Sequence, residues 1–332
     1  VNPPLTAEQA RALGVVLPPE FDVRTYPPPG YLHWTLFDVG NGDTYGYYWP
    51  VGREAGPPLV CTTLHDSGAL LPVASSAEGC LRLEWATRYD EEDEEELRAT
   101  ARAFGVALAG APVRLLESGG IDYWDVASAA DLLPLDPGSP HLLLLDARAR
   151  NAAGDVAGAE AALRVALDPL PEYGEALYQI AQVLRRQGRR DEANAALLDV
   201  LTAPVAFTTA ETRTRALGAI RRAPDAALPP DRAGDPLWAA RARLTLATGV
   251  KTNDDYLLYE EGIAAYHDRG DGARAVGLRV LVGELMHRET VSFQERYGWT
   301  EAGWRAQLSA DLARAGLTER RRALFPSEPA EK

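Results

Sequence analysis

Five histidines, His33, His65, His141, His267 and His287, are the side chains best suited to acid–base or metal chemistry near neutral pH. They are scattered with no paired-ligand spacing, so no metal centre and no cofactor are expected. His65-Asp66-Ser67 holds the letters of a hydrolase triad, but consecutive residues cannot fold back into nucleophile-to-base geometry. No Gly-x-Ser-x-Gly elbow accompanies it, and a turn is the simpler reading. Gly40-Asn41-Gly42-Asp43-Thr44-Tyr45-Gly46 imitates a dinucleotide loop, yet it is one residue too long and joins strand to strand where that loop must lead into a helix. Cys61 and Cys80, the two cysteines, fall in a strand-like and a helix-like run and suit buried thiols in a reducing compartment. No catalytic residue is expected; the chain reads as a non-enzyme.

The elements around these residues are clearer than the chemistry. Eight aromatics crowd into residues 26–49, and the pattern predicts antiparallel strands at Tyr31–Asp38, Asp43–Trp49, Leu59–Leu64 and Ala69–Val73. Asn41-Gly42 supplies a hairpin turn, because both residues tolerate positive φ. Tyr45, Tyr47 and Trp49 share one face by alternation and are expected in the core, although a ring cluster of this kind can also stack a sugar or a base. Ser75 followed by Glu78 predicts a capping box that opens a helix through Leu81, Leu83 and Trp85. With a short helical segment ahead of the four strands, the first part of the chain is expected to be α+β.

Beyond residue 138 the pattern changes. Ala147, Ala159, Leu163 and Ala166 return as Ala181, Ala193, Leu197 and Val200, each shifted by 34 residues, around Gly154 and Gly188. That period belongs to helical hairpins stacked as a solenoid: small residues let the paired helices approach, and glycine takes the left-handed turn. Gly270-Asp271 with Ala275 predicts a further hairpin outside the 34-residue register. Helices are expected at Thr209–Arg222 and Pro236–Thr248, a last one opens near Trp299 and Trp304, and Arg320-Arg321-Arg322 reads as a frayed end.

The 332 residues carry a net charge of −14, and its distribution is uneven. Through residue 100 there are 16 acids and 6 bases, a net of −10, leaving −4 for the rest. Nucleic acid is therefore an unfavourable partner and a basic protein a favourable one. Seven consecutive acids, Asp90 to Glu96, either complement the N-terminal end of a helix over Leu97–Leu108 or form an acidic arm. No apolar run approaches the ~18 residues of a membrane span, and the start Val1-Asn2-Pro3-Pro4 does not read as a signal peptide, so a cytoplasmic location without membrane contact is expected. Thirty-two arginines against two lysines suggest a bacterial genome rich in GC.

Two resemblances follow from these residues. Glu20 to Leu83 resembles the SUKH superfamily, through Leu17-Pro18-Pro19-Glu20, the Phe37-Asp38-Val39-Gly40-Asn41-Gly42-Asp43 stretch, the Leu59–Leu64 strand and the Ala74-Ser75-Ser76 entry to a helix. The resemblance implies a non-enzymatic immunity-type or regulatory protein that binds a protein partner, often a toxin. The 34-residue units resemble tetratricopeptide repeats, with Pro171 closing the first. That likeness implies a concave face lined by the first helix of each hairpin, here Arg148, Asn151, Tyr178, Gln182 and Arg185. A partner drawn to the acidic arm would instead meet Glu91, Glu92, Glu94 and Glu95. The expected layout is an α+β domain at 1–89, an acidic helical connector at 90–138 and an all-α repeat region at 139–332, with the first and last folding alone. A cytoplasmic scaffold that assembles a complex through its repeats is the alternative function.

Overall fold

The computed structural model describes residues 23–24, 32–38, 44–54, 56–64, 68–87, 94–103, 105–108, 129–224, 227–247 and 254–325. Five strands, β1 (Val23–Arg24), β2 (Leu32–Asp38), β3 (Thr44–Trp49), β4 (Leu59–Leu64) and β5 (Ala69–Ala74), pair antiparallel in chain order. Four of them are the strands the alternation predicts. The fifth, β1, is two residues long and joins the edge by pairing Val23 with Trp34, a length at which no periodicity can show. Between Thr35 and Phe37 the β2–β3 register slips by one, a bulge facing Gly46 and Tyr45. The Asn41-Gly42 turn and His65-Asp66-Ser67 lie outside the described residues, as does the expected N-terminal helical segment.

Both faces of the sheet are covered, so β4 is buried along nearly its whole length, Thr62 and Thr63 included. On one face Tyr45, Val60, Leu71 and Val73 pack with Cys80 and Leu83 of α1 (Ala77–Thr87). On the other, Tyr48, Leu59, Cys61 and Leu70 join the cluster that runs through the helices. Tyr45 and Trp49 are buried and Tyr47 is half-buried, so the aromatic face is core. Both cysteines are buried, and neither is in a disulfide. The cap of α1 differs from expectation. Ser76 accepts from the Gly79 amide at 3.1 Å, while Ser75 gives its hydroxyl and amide to Asp136 at 2.5 and 2.7 Å. Glu78 pairs with Arg82 one turn on, at 2.6 Å.

The helix predicted over Leu97–Leu108 is α2 (Glu94–Ala103), and it starts inside the acidic run. Leu97 and Ala101 pack on Leu81 and Trp85. After a short turn of helix, α3 (Ala129–Leu132), four helices follow: α4 (Pro140–Ala152), α5 (Val156–Leu167), α6 (Gly174–Arg186) and α7 (Arg190–Thr202). The starts of α4 and α6 are 34 residues apart, and so are those of α5 and α7. Gly154 and Gly188 turn the chain at φ 86° and 79°, and Ala159, Leu163, Ala193 and Leu197 are each 0% exposed, so the shifted letters are the packed ones. Each leucine buried in this way contributes roughly 1.5–3 kcal/mol.

Next come α8 (Ala210–Ile220), α9 (Pro236–Ala240), α10 (Asp255–Asp268), α11 (Gly272–His287), α12 (Val291–Arg296), α13 (Glu301–Arg314) and α14 (Thr318–Leu324). The predicted helix at Pro236–Thr248 stops at Ala240, where the buried Arg241 turns away to donate to the carbonyls of Ile220 and Ala223. Gly270 and Gly316 repeat the left-handed turn at φ 76° and 71°, and α11 and α14 begin two residues later, as α5 and α7 do after theirs. α13 lies against α11 because Gly283 makes room for Trp304, whose indole N–H donates to Arg279 O at 2.9 Å.

The C-terminal arginines are the largest departure from the sequence reading. Arg320 is 0% exposed. Its guanidinium reaches back to the sheet, pairing with buried Glu54 and donating to the Trp49 carbonyl. Beside it Tyr48 donates to Glu172, whose carboxyl is pushed up by burial against the opposing pull of Tyr48 and Arg320. These contacts, with Ser139 donating to Val73 O at 2.6 Å, join sheet and helices across the boundary drawn at residue 139. Among the described residues no helix is long and apolar enough to cross a membrane.

Candidate functional site

Where the sheet meets the helices a cavity of about 520 Å³ opens. Its floor comes from the β4–β5 end of the sheet, through Leu64, Leu70 and Leu71. α4 contributes His141, Leu144 and Arg148, and the turn before α8 adds Val205 to Thr209. Tyr256 and Tyr259 of α10, with Leu285 and Arg288 at the end of α11, complete it. The volume lies in the range, roughly 300–1,000 Å³, that holds a small organic molecule.

The polar groups on its wall are of two kinds. Some are engaged by neighbouring groups. Glu175 accepts from Thr209 N at 2.9 Å and from Thr212 Oγ1 at 3.1 Å, which fastens the start of α8 to α6. Asp255 accepts from the Thr245 and Leu246 amides at 2.9 and 2.7 Å. Arg213 donates to Leu201 O at 2.9 Å and also to Ala203 O. His141 Nδ1 sits 3.3 Å from the Tyr173 hydroxyl. Others are left over: the Tyr259 hydroxyl, Thr208 Oγ1 and Arg148 Nε are buried atoms with no hydrogen-bond partner. Tyr259 is 1% exposed and Thr208 4%. Leaving such a group unsatisfied costs about 1–3 kcal/mol. Burial drives the ionisation of Tyr259 upward, against the opposing pull of Arg213, so its hydroxyl stays a neutral donor.

The residues expected to face a partner do not gather in one place. Arg148 lines the cavity and lies 3.7 Å from Glu175. Asn151 is held by Arg186, which donates to its carbonyl oxygen and its Oδ1 at 2.8 and 2.6 Å. Arg185 donates to Ala219 O at 3.3 Å. Tyr178 and Gln182 are half-buried on α6 and have no side-chain hydrogen bond to a described residue. Glu94 and Glu95 open α2, with Glu95 exposed, while Glu91 and Glu92 lie outside the described residues. Of the histidines, His141 faces the cavity, His267 is buried beside Asp311 at 3.0 Å, His33 is on β2 and His287 is exposed at the end of α11. Among the described residues no group of three or more His, Cys, Asp or Glu side chains could hold a metal ion.

Tyr256, Tyr259, Thr208, Arg213 and Arg288 were not distinguished by any motif. The cavity takes its lining from segments spread between residues 64 and 288, so the signal exists only in three dimensions.

The chain is similar to proteins known from comparison. Residues 19–96 match the family model described as the YfbP N-terminal domain, and residues 248–322 match the YfbP C-terminal domain. The first match spans the sheet and α1; the second covers α10 to α13 and most of α14. Over 287 residues the chain is 27% identical to the uncharacterized protein YfbP of Escherichia coli (strain K12), an alignment covering 85% of this chain and 87% of that one.

Proposed function

We propose that this chain is a non-enzymatic protein-binding protein of the immunity or regulatory kind. In this reading a SUKH-like α+β domain is joined to tetratricopeptide-like hairpins and acts in the cytoplasm. The observation that carries the proposal is the recurrence of the α4–α5 hairpin as α6–α7, with starts 34 residues apart and the same left-handed glycine turn. Stacked hairpins of this period make rigid scaffolds whose faces bind other chains. Tyr178 and Gln182, uncommitted on α6, offer an aromatic and an amide to such a partner. The acidic first turn of α2 favours a basic partner, and two buried cysteines outside any disulfide fit a reducing compartment.

The test is capture of partner by the whole chain, side by side with its Tyr178→Ala variant. A buried aromatic anchor is worth about 1–2 kcal/mol in such interfaces. The variant should therefore hold the same partner roughly tenfold more weakly while keeping its fold by circular dichroism. A partner held equally by both would remove α6 from the interface.

A further inference from the structure

The cavity between sheet and helices asks for a ligand of particular chemistry. Its walls are largely apolar: Leu70 and Leu71 from β5, Leu144 from α4, Phe207, Tyr256 and Leu285. An apolar ligand would be enough to fill it, were it not for the polar atoms left unbonded on its walls. Arg148 Nε can only donate, and the Tyr259 hydroxyl is free to donate; the Thr208 hydroxyl packs against Gly174. A complementary ligand therefore brings acceptors and no need for donors of its own.

Charge points the same way. In a protein of net charge −14, this one cavity is lined by three arginines, Arg148, Arg213 and Arg288. Its two carboxylates, Glu175 and Asp255, are engaged by backbone amides and threonine hydroxyls. Arg148 meets Glu175 only at 3.7 Å, and the exposed Arg288 at the rim forms no ion pair with a described residue. An anionic acceptor group suits donors of this kind, and charge-assisted bonds to it are the strong ones.

We propose that the cavity binds an amphipathic monocarboxylate, with its carboxylate at Arg148 and the Tyr259 hydroxyl and its apolar body against Leu70, Leu144, Phe207 and Tyr256. The lining does not include Tyr178 or Gln182, so the site stands or falls independently of partner capture. Seated between sheet and helices, the ligand would brace the junction that the Arg320 pair also holds.

The experiment is calorimetric titration and thermal shift of the whole chain with three probes below their micellar concentrations: decanoate, 1-decanol and 3-phenylpropanoate. At least one acid should bind saturably at one site and raise the melting temperature, and decanoate should bind roughly tenfold tighter than decanol. Which acid binds better decides whether the body is aliphatic or aromatic. Tyr259→Phe removes a hydroxyl that has no partner, so it should leave the unliganded melting temperature unchanged or slightly higher. It should also weaken acid binding roughly threefold to tenfold. Arg148→Gln should bring acid and alcohol to within roughly twofold of each other. Absence of saturable binding by both acids overturns the proposal. So does decanol binding as well as decanoate, or acid affinity unchanged in both Tyr259→Phe and Arg148→Gln.

Discussion

Replacing Arg320 by methionine would remove one charge from the interior and strand another. Arg320 and Glu54 are 0% and 8% exposed at their side chains, and they come from opposite ends of the described chain. With the guanidinium gone, Glu54 keeps a bond from the Gly52 amide at 3.1 Å but loses its counter-ion, and the Trp49 carbonyl loses its donor. Breaking a buried pair from one side costs about 3–5 kcal/mol, a large part of the 5–15 kcal/mol typical of whole domains. Urea unfolding followed by tryptophan fluorescence should show a much lower midpoint with an unchanged slope. Glu54→Met alone should also be costly, because Arg320 loses that buried carboxylate, but less so than Arg320→Met, because Glu172 still lies beside the guanidinium. The double variant should recover most of the loss, since no charge is left unpaired and methionine keeps the volume. The remaining Glu172 would protonate more readily, its carboxyl already being pushed up by burial. A single-variant cost below about 1 kcal/mol, or two single costs that simply add, would mean that Arg320 is not the buried anchor described.

Other outcomes follow from the same geometry. Glu160 on α5 accepts from Gln187 and Arg189 of the next hairpin and from Arg164, which outweigh desolvation and hold its carboxyl near pH 2. A depressed folded value means stabilisation that is present above about pH 4.5 and lost as pH falls toward 2. The shift bounds this at about 3 kcal/mol, and solvent screening should leave about 1 kcal/mol; Glu160→Gln should flatten the loss between pH 5 and 2 in urea titrations by about that amount. On α11, Gly283→Ala places a methyl inside the Trp304 indole and should cost at least about 1–3 kcal/mol. Gly277→Ala on the same helix meets open space and should stabilise by up to about 1 kcal/mol, so thermal melts should move in opposite directions. If a basic partner docks on the acidic arm, exchanging Glu91, Glu92, Glu94 and Glu95 for glutamine should slow association and reduce its salt dependence, with little change in dissociation.

Much of the architecture was legible because it is periodic. Alternation located β2 to β5 within one residue or so, and the 34-residue recurrence located the glycine turns and the alanines they bring together. Signals that depend on a partner element were not legible. Ser75 and Ser76 both look like caps, and only the approach of Asp136 decides which serine is drawn away. Arg320 sits in a run of three arginines with no local feature to separate it from Arg322, which pairs at the surface with Glu319. Its burial follows from Glu54, 266 residues away. The repeat pattern assigns Arg148 to a groove on the helical face, and the structure puts it on the wall of the cavity.

Hydrogen exchange on the whole chain, with and without its captured partner, bears most directly on the protein-binding reading. The expected result is new protection of amides in α6, centred on the turns that carry Tyr178 and Gln182, with α13 and α14 unchanged. Exchange in residues 174–186 that is identical with and without a bound partner would contradict it.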